Sequence, residues 1–147
     1  MSEVKTIVYP TDFSEASLAA LSWAKQFAAI LDADLHCLYV VKEPHVYAAF
    51  DLGSVPMPSL EEFGNSAQSR LDDFVKEHFS GATGTAVAKV LFGRPANEIA
   101  EYAESMDAAM IIMATHGFSG VKHVLLGSTT EAVQRQASCP VLSIRSE

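Results

Sequence analysis

The sequence predicts an α/β fold in which a parallel sheet carries helices on both faces. Short apolar runs alternate with longer amphipathic segments, the order that parallel strands and their crossover helices require. At 147 residues, 49% hydrophobic and 19% charged, the chain suits one compact domain, 1–147, burying roughly two-thirds of its unfolded surface. A third observation marks the working end of that fold. Ala114-Thr-His-Gly117, then nine residues, then Gly127-Ser128-Thr129-Thr130-Glu131 joins the end of an apolar strand to the start of a helix.

Five strands are expected, near residues 5–9, 34–41, 85–91, 108–113 and 141–145. Between the first two, Leu18, Leu21, Ala24, Ala28 and Leu31 recur at helical spacing, with Ser14 as the expected N-cap. A second helix is expected over 59–79, where Phe63, Leu71, Phe74, Val75 and Phe79 form an interrupted apolar face. Gly93-Arg-Pro95 opens a third, because proline is tolerated in a first turn; Ile99, Ala100, Ala103 and Met106 make its buried side. Ser128-x-x-Glu131 has the form of a capping box for a fourth, followed by Ala132, Val133 and Ala137. Cys139-Pro140 then starts the last strand. Residues 42–58 break the rhythm with Pro44, Gly53, Pro56 and Pro58, yet carry Val46, Tyr47, Phe50, Leu52 and Met57. A connection of that length reads equally as a functional cover or a flexible crossover.

Several function classes are excluded at this level. A formal net charge of −8 with no Lys/Arg run opposes binding to nucleic acid or anionic membranes. No apolar run approaches the ~18–20 residues that span a bilayer. The N-terminus reads as a strand rather than a cleavable leader, and the two cysteines form neither a disulfide framework nor a paired-cysteine metal motif, so a cytoplasmic setting is expected.

The glycine-bearing junction suggests phosphate chemistry, since glycines let the backbone approach a ligand while Ser128 and the amides behind it receive an anion. It lacks the Gly-Lys-Ser/Thr ending of a Walker loop, and no Gly-x-Gly-x-x-Gly fingerprint occurs. At the first strand's end stands Tyr9-Pro10-Thr11-Asp12-Phe13-Ser14. Ligands of open α/β sheets bind outside the carboxyl ends of strands, so Asp12 is a candidate to accept hydrogen bonds from a nucleoside or to organise a metal. Its alternative role is a turn or helix-cap aspartate. His116 sits inside the junction, but no paired base or nucleophile accompanies it, which favours a structural or ligand-contact role. His36 and Cys37 point to opposite faces of a strand, and Cys37 and Cys139 read as packing residues.

The chain resembles the universal stress protein family over essentially its whole length. The matching landmarks are Ile7-Val-Tyr-Pro-Thr-Asp-Phe-Ser14, Leu38-Tyr-Val-Val41, Gly93-Arg-Pro95, Ile111-Ile-Met-Ala-Thr-His-Gly117, Leu125-Leu-Gly-Ser128 and Cys139-Pro-Val-Leu142. The resemblance implies an open five-stranded parallel sheet of order 3-2-1-4-5, Rossmann-like and of the adenine nucleotide alpha hydrolase-like type. It also implies ATP as ligand. Pro10, Asp12, Val40 and Met113 would surround the adenosine; Gly117, Gly127, Ser128 and Thr129 would face the phosphates; Thr11, Ala114, His116 and Thr130 complete the nucleotide-binding set. One position departs from the pattern of the ATP-binding members, where a glycine precedes two residues and a second glycine: here it is Ala114. A left-handed backbone there would cost ~1–2 kcal/mol, whereas a residue ending the strand with ordinary dihedrals bears a methyl without strain, and the strand reading runs directly into it.

No lysine is needed if backbone amides converge, because a helix N-terminus acts like about half a positive charge. Lys122, His123 and Arg135 can add charge but read individually as solvated residues. Glu131 beside a triphosphate calls for a divalent cation, so Mg2+ is expected to arrive with ATP rather than in a protein cage. No catalytic set is identifiable, which implies at most weak ATP hydrolysis. The last strand would lie at the sheet edge and, as the resemblance implies, pair with its counterpart in a homodimer. The leading function is an ATP-binding stress-response module that acts on an unidentified protein partner. A nucleotide-independent dimeric adaptor and a slow ATP hydrolase stand as alternatives.

Overall fold

The computed structural model describes residues 5–42, 60–81, 84–116 and 127–146. In chain order they form β1 (Lys5–Pro10), α1 (Glu15–Leu31), β2 (Ala33–Val41), α2 (Leu60–His78), β3 (Ala86–Phe92), α3 (Pro95–Ser105), β4 (Met110–Ala114), α4 (Ser128–Gln136) and β5 (Val141–Ile144). The strands make one sheet, parallel throughout, of order β3-β2-β1-β4-β5. This is the order that the resemblance implied. Most of residues 42–58 lies outside the described residues.

The central strand explains the two-layer cover. Ile7, Val8 and Tyr9 are all fully buried, although successive side chains point to opposite faces. Ile7 and Tyr9 meet Leu21, Ala24, Leu71 and Phe74 of α1 and α2. Val8 instead joins Ile99, Ala103 and Val133 of α3 and α4. The same alternation separates Cys37 from Leu38 and Ile112 from Ile111. Each large aliphatic side chain so buried contributes ~1.5–3 kcal/mol of transfer free energy. Tyr9 brings a hydroxyl into the core, and it is satisfied by donating to the Ser17 carbonyl. Burial pushes its pKa well above the usual phenol range.

Helix α1 begins as expected: the Ser14 hydroxyl accepts from Ser17 N at 3.2 Å. Two other helix expectations need correction. Met106, expected on the buried side of α3, is 43% exposed, because the helix stops at Ser105 and Met106 is its C-cap with φ −93° and ψ 1°. There the chain leaves the helical path toward Asp107, at φ 48°, so a position counted on by helical spacing no longer faces the sheet. Nor does Ser128 cap α4. The N-cap is Gly127, with no side-chain cap bond, and Ser128 is the first helical residue. Glu131, expected to reciprocate a cap, receives Arg135 from the next turn instead.

Candidate functional site

Strand β1 leads through α1 to β2 on one side, and β4 leads through α4 to β5 on the other. The chain therefore departs in opposite directions from two neighbouring strands, which opens a crevice at their carboxyl ends. Ile7 pairs with Met110 and Val8 with Ile111; continuing that register brings Pro10 level with Met113. On the other side Pro10 pairs with Leu38, two residues before Val40. Met113 is buried, and half-buried Val40 packs in the same cluster. Pro10, Val40 and Met113, far apart in sequence, thus come to one rim.

The β1–α1 turn is tied together by its own side chains. Thr11 is buried; its amide donates to Leu38 O at 2.9 Å, and its hydroxyl accepts from Phe13 N at 3.0 Å while pairing with Ser17 Oγ at 3.0 Å. Ser17 Oγ in turn donates to Ser14 O at 2.7 Å. Asp12, half-buried, accepts from Ser14 N through Oδ1 at 2.9 Å. Its turn-building role is therefore real, and Thr11 points inward as a brace of the turn rather than outward. Phe13 was not anticipated. It has φ 67°, one of three described non-glycine residues at positive φ, a conformation that costs ~1–2 kcal/mol for an L side chain. Its ring lies 4.8 Å from that of Tyr39, 5.4 Å from that of Phe74 and 4.2 Å from the Arg70 guanidinium carbon. Such contacts offset the backbone cost.

The β4–α4 junction is built from backbone. Ala114 ends β4 opposite Ile144 and is not among the residues at positive φ, so its methyl sits on an ordinary strand, as the sequence suggested. Thr115 N donates to Ile144 O at 3.0 Å, and Thr115 O accepts from Gly127 N at 2.6 Å. Thr130, buried, donates its hydroxyl to Ala114 O at 2.8 Å. Gly127 has φ −68° and ψ 158°, which any residue adopts; what it requires is space, because a Cβ there would stand 3.0 Å from Thr115 O. Ser128 is exposed and Thr129 half-buried. The amides of a helix's first turn have no acceptor within the helix, and the Gly127 cap contributes no side chain to them. His116 Nδ1 lies 3.0 Å from Thr115 Oγ1.

Arg135 is an exposed residue paired with Glu131. Gly117, Lys122 and His123 lie outside the described residues. Among the described residues no group of three or more His, Cys, Asp or Glu side chains is placed to hold a metal ion. Cys37 is buried and its thiol pKa is pushed up by desolvation; Cys139, half-buried, shifts the same way for the same reason. No described helix is long and apolar enough to cross a membrane.

A turn rich in side-chain acceptors thus follows β1, and a helix start rich in backbone donors follows its neighbour β4. Against known families, the model of the universal stress protein family matches residues 3–145. The chain belongs to the universal stress protein family. Within it, universal stress protein MJ0531 of Methanocaldococcus jannaschii is 37% identical over 144 residues, covering 96% of this chain and 82% of the relative. The solved structure of MJ0577 from the same organism superposes with a TM-score of 0.80 at 28% identity, covering 99% of each chain. Universal stress protein UspA from Lactobacillus plantarum shares the fold, with a TM-score of 0.75 at 24% identity over 99% of this chain and all of the other.

Proposed function

We propose that this universal stress protein binds ATP in the crevice between β1 and β4 and acts as a nucleotide-dependent regulatory module of the stress response. One observation carries the reading: α4 opens on Gly127, whose cap supplies no side-chain bond, after β4, and β4 lies beside β1, the strand that runs into the Asp12 turn. The adenosine half would lie against Pro10, Val40 and Met113, with Asp12 accepting hydrogen bonds from its hydroxyls. Phosphates would take the amides of Ser128 and Thr129, with Gly127, and Gly117 beyond the described residues, allowing the close approach. His116 would contact the ligand from the strand side. Thr11 and Thr130 serve this site indirectly, since their hydroxyls already hold the two turns.

The donor set fits an anion: backbone amides at a helix start supply partial positive charge, and the acidic residue of that helix's first turn, Glu131, is engaged by Arg135. Without a protein cage of carboxylates among the described residues, Mg2+ would be carried in by the phosphates. Universal stress proteins of the same fold have been solved in complex with cAMP and with dAMP, an analogy at the level of fold. The reading extends to one domain over 1–147, a cytoplasmic setting, a homodimer through the exposed edge of β5, and a protein partner that distinguishes the occupied from the empty state. Such regulation requires that ATP bind the two states with different affinity.

Calorimetric titration of nucleotide-stripped protein with ATP, with and without Mg2+, tests the proposal. Saturable binding near one ATP per chain, weaker for AMP, is the expected result. A folded protein that takes up no adenine nucleotide overturns it. Light scattering tests the dimer separately, and a monomer in dilute solution refutes that element.

A further inference from the structure

We propose that Phe13 is a positioning residue for the nucleotide site: a clamp from α2 and β2 holds its backbone left-handed, and that conformation sets the turn that carries Asp12. The inference rests on the ATP-site reading and adds a residue and a coupling that the reading does not contain.

Phe13 sits at φ 67° in the middle of a paired set of bonds. Its own amide donates to Thr11 Oγ1 at 3.0 Å, and the next amide, Ser14 N, donates to Asp12 Oδ1 at 2.9 Å. Each amide reaches the side chain two residues back, and the left-handed residue between them lets both do so. If Phe13 relaxed to φ below zero, Ser14 N–H would turn away from Asp12, and the carboxylate would lose this anchor within its own turn. A bulky residue does not choose this conformation unaided. What holds it is the ring, which lies against Tyr39 of β2 and Phe74 of α2 and beneath the guanidinium of Arg70. Arg70 and Phe74 are four residues apart, so one face of α2 supplies two sides of the clamp.

The consequence is a mechanical link. Helix α2 packs chiefly on β2 and β3, yet through Phe13 it determines how often the Asp12 turn is competent to bind. Apparent affinity scales with that competent fraction. By reciprocity, a ligand that grips Asp12 also steadies α2.

Two substitutions at one position separate positioning from packing. Phe13→Ala removes the clamp and keeps the penalty of positive φ; Phe13→Gly removes both, since glycine takes positive φ freely. The expected result is that Ala weakens ATP binding about tenfold, while Gly stays within about threefold of the parent. Both variants are expected to melt below the parent, because both lose the ring. A purely packing role predicts instead that neither Kd moves, or that Ala and Gly lose affinity alike; either outcome overturns the proposal. Amide exchange in ligand-free protein supplies an arm that does not depend on ATP. The Ser14 amide should exchange faster in the Ala variant and near the parental rate in the Gly variant. Equal exchange in all three proteins refutes the role of Phe13 even if ATP binds, whereas a parent that ignores ATP but shows the exchange pattern rejects only the nucleotide reading.

Discussion

The β1–α1 turn spends its side chains on its own amides, whereas the β4–α4 junction ties its strand end with bonds to backbone carbonyls and starts its helix on a glycine cap. In the first, Thr11, Asp12 and Ser14 each accept from an amide within three residues, and Phe13 is braced from outside. In the second, Gly127 N reaches Thr115 O, Thr130 reaches Ala114 O, and the Gly127 cap offers α4 no side chain. A locally satisfied turn is rigid and presents fixed acceptors. A helix start whose cap residue has no side chain presents donors. The contrast teaches that acceptors and donors are divided between the segments that follow two strands the 3-2-1-4-5 order makes neighbours, a division that suits the proposed nucleotide site.

The contrast breaks most severely at Gly127. Gly127→Val puts a branched side chain where a Cβ would lie 3.0 Å from Thr115 O, so Thr115 O must shift to make room and ATP affinity should fall by about tenfold or more, read by calorimetry. An unchanged Kd would show that phosphates do not use this junction. Asp12 is the next test, because it serves its own turn and, in the proposal, the ligand. Asp12→Ala should weaken ATP binding by about tenfold, while Asp12→Asn keeps an oxygen for Ser14 N–H and should spare stability but not full affinity. Equal affinity in all three proteins would leave Asp12 a turn residue alone.

Smaller effects sharpen the comparison through stability. Ser14→Ala removes the cap of α1 and should cost ~1 kcal/mol in denaturant unfolding, whereas Ser128→Ala, at a position that caps nothing, should cost almost none. Equal losses would mean that α4 is side-chain capped after all. The smallest effect is one of pH. His36 meets Tyr102 OH at 2.7 Å, and burial lowers its pKa against the opposing pull of Asp34. A lowered folded pKa means that the folded state binds fewer protons than the unfolded one. The contribution of His36 is therefore complete above its unfolded pKa of about 6.5 and is lost as pH falls toward the folded value. The Tm of the parent should drop more steeply between about pH 7 and pH 5 than that of His36→Gln; parallel profiles would contradict the assignment.

Much of this architecture was legible from residues alone. Strands buried on both faces read as apolar runs, so β1 and β2 stood out, and the Ser14 cap followed from a side chain acting three residues away. Pro10 and Met113 could be paired because the resemblance supplied the strand order. What escaped depends on contacts distant in sequence. Gly127 replaces Ser128 as the cap because its amide is drawn to Thr115, and its glycine is needed for clearance rather than for left-handed backbone. Met106 follows helical spacing in sequence yet lies beyond the last helical turn. Phe13 carries no local signal for positive φ, because residues of β2 and α2 impose it. Ala114 went the other way: a departure from the family pattern brings no left-handed backbone, because the strand extends through it.

The most direct test of the central claim is a heteronuclear NMR titration of the stripped protein with Mg·ATP, following the amides of Asp12, Phe13 and Ser14 together with those of Gly127, Ser128 and Thr129. A single site predicts that both groups shift along one saturation curve that ends near one ATP per chain. Shifts confined to one turn, or absent from both, would contradict a nucleotide site shared between them.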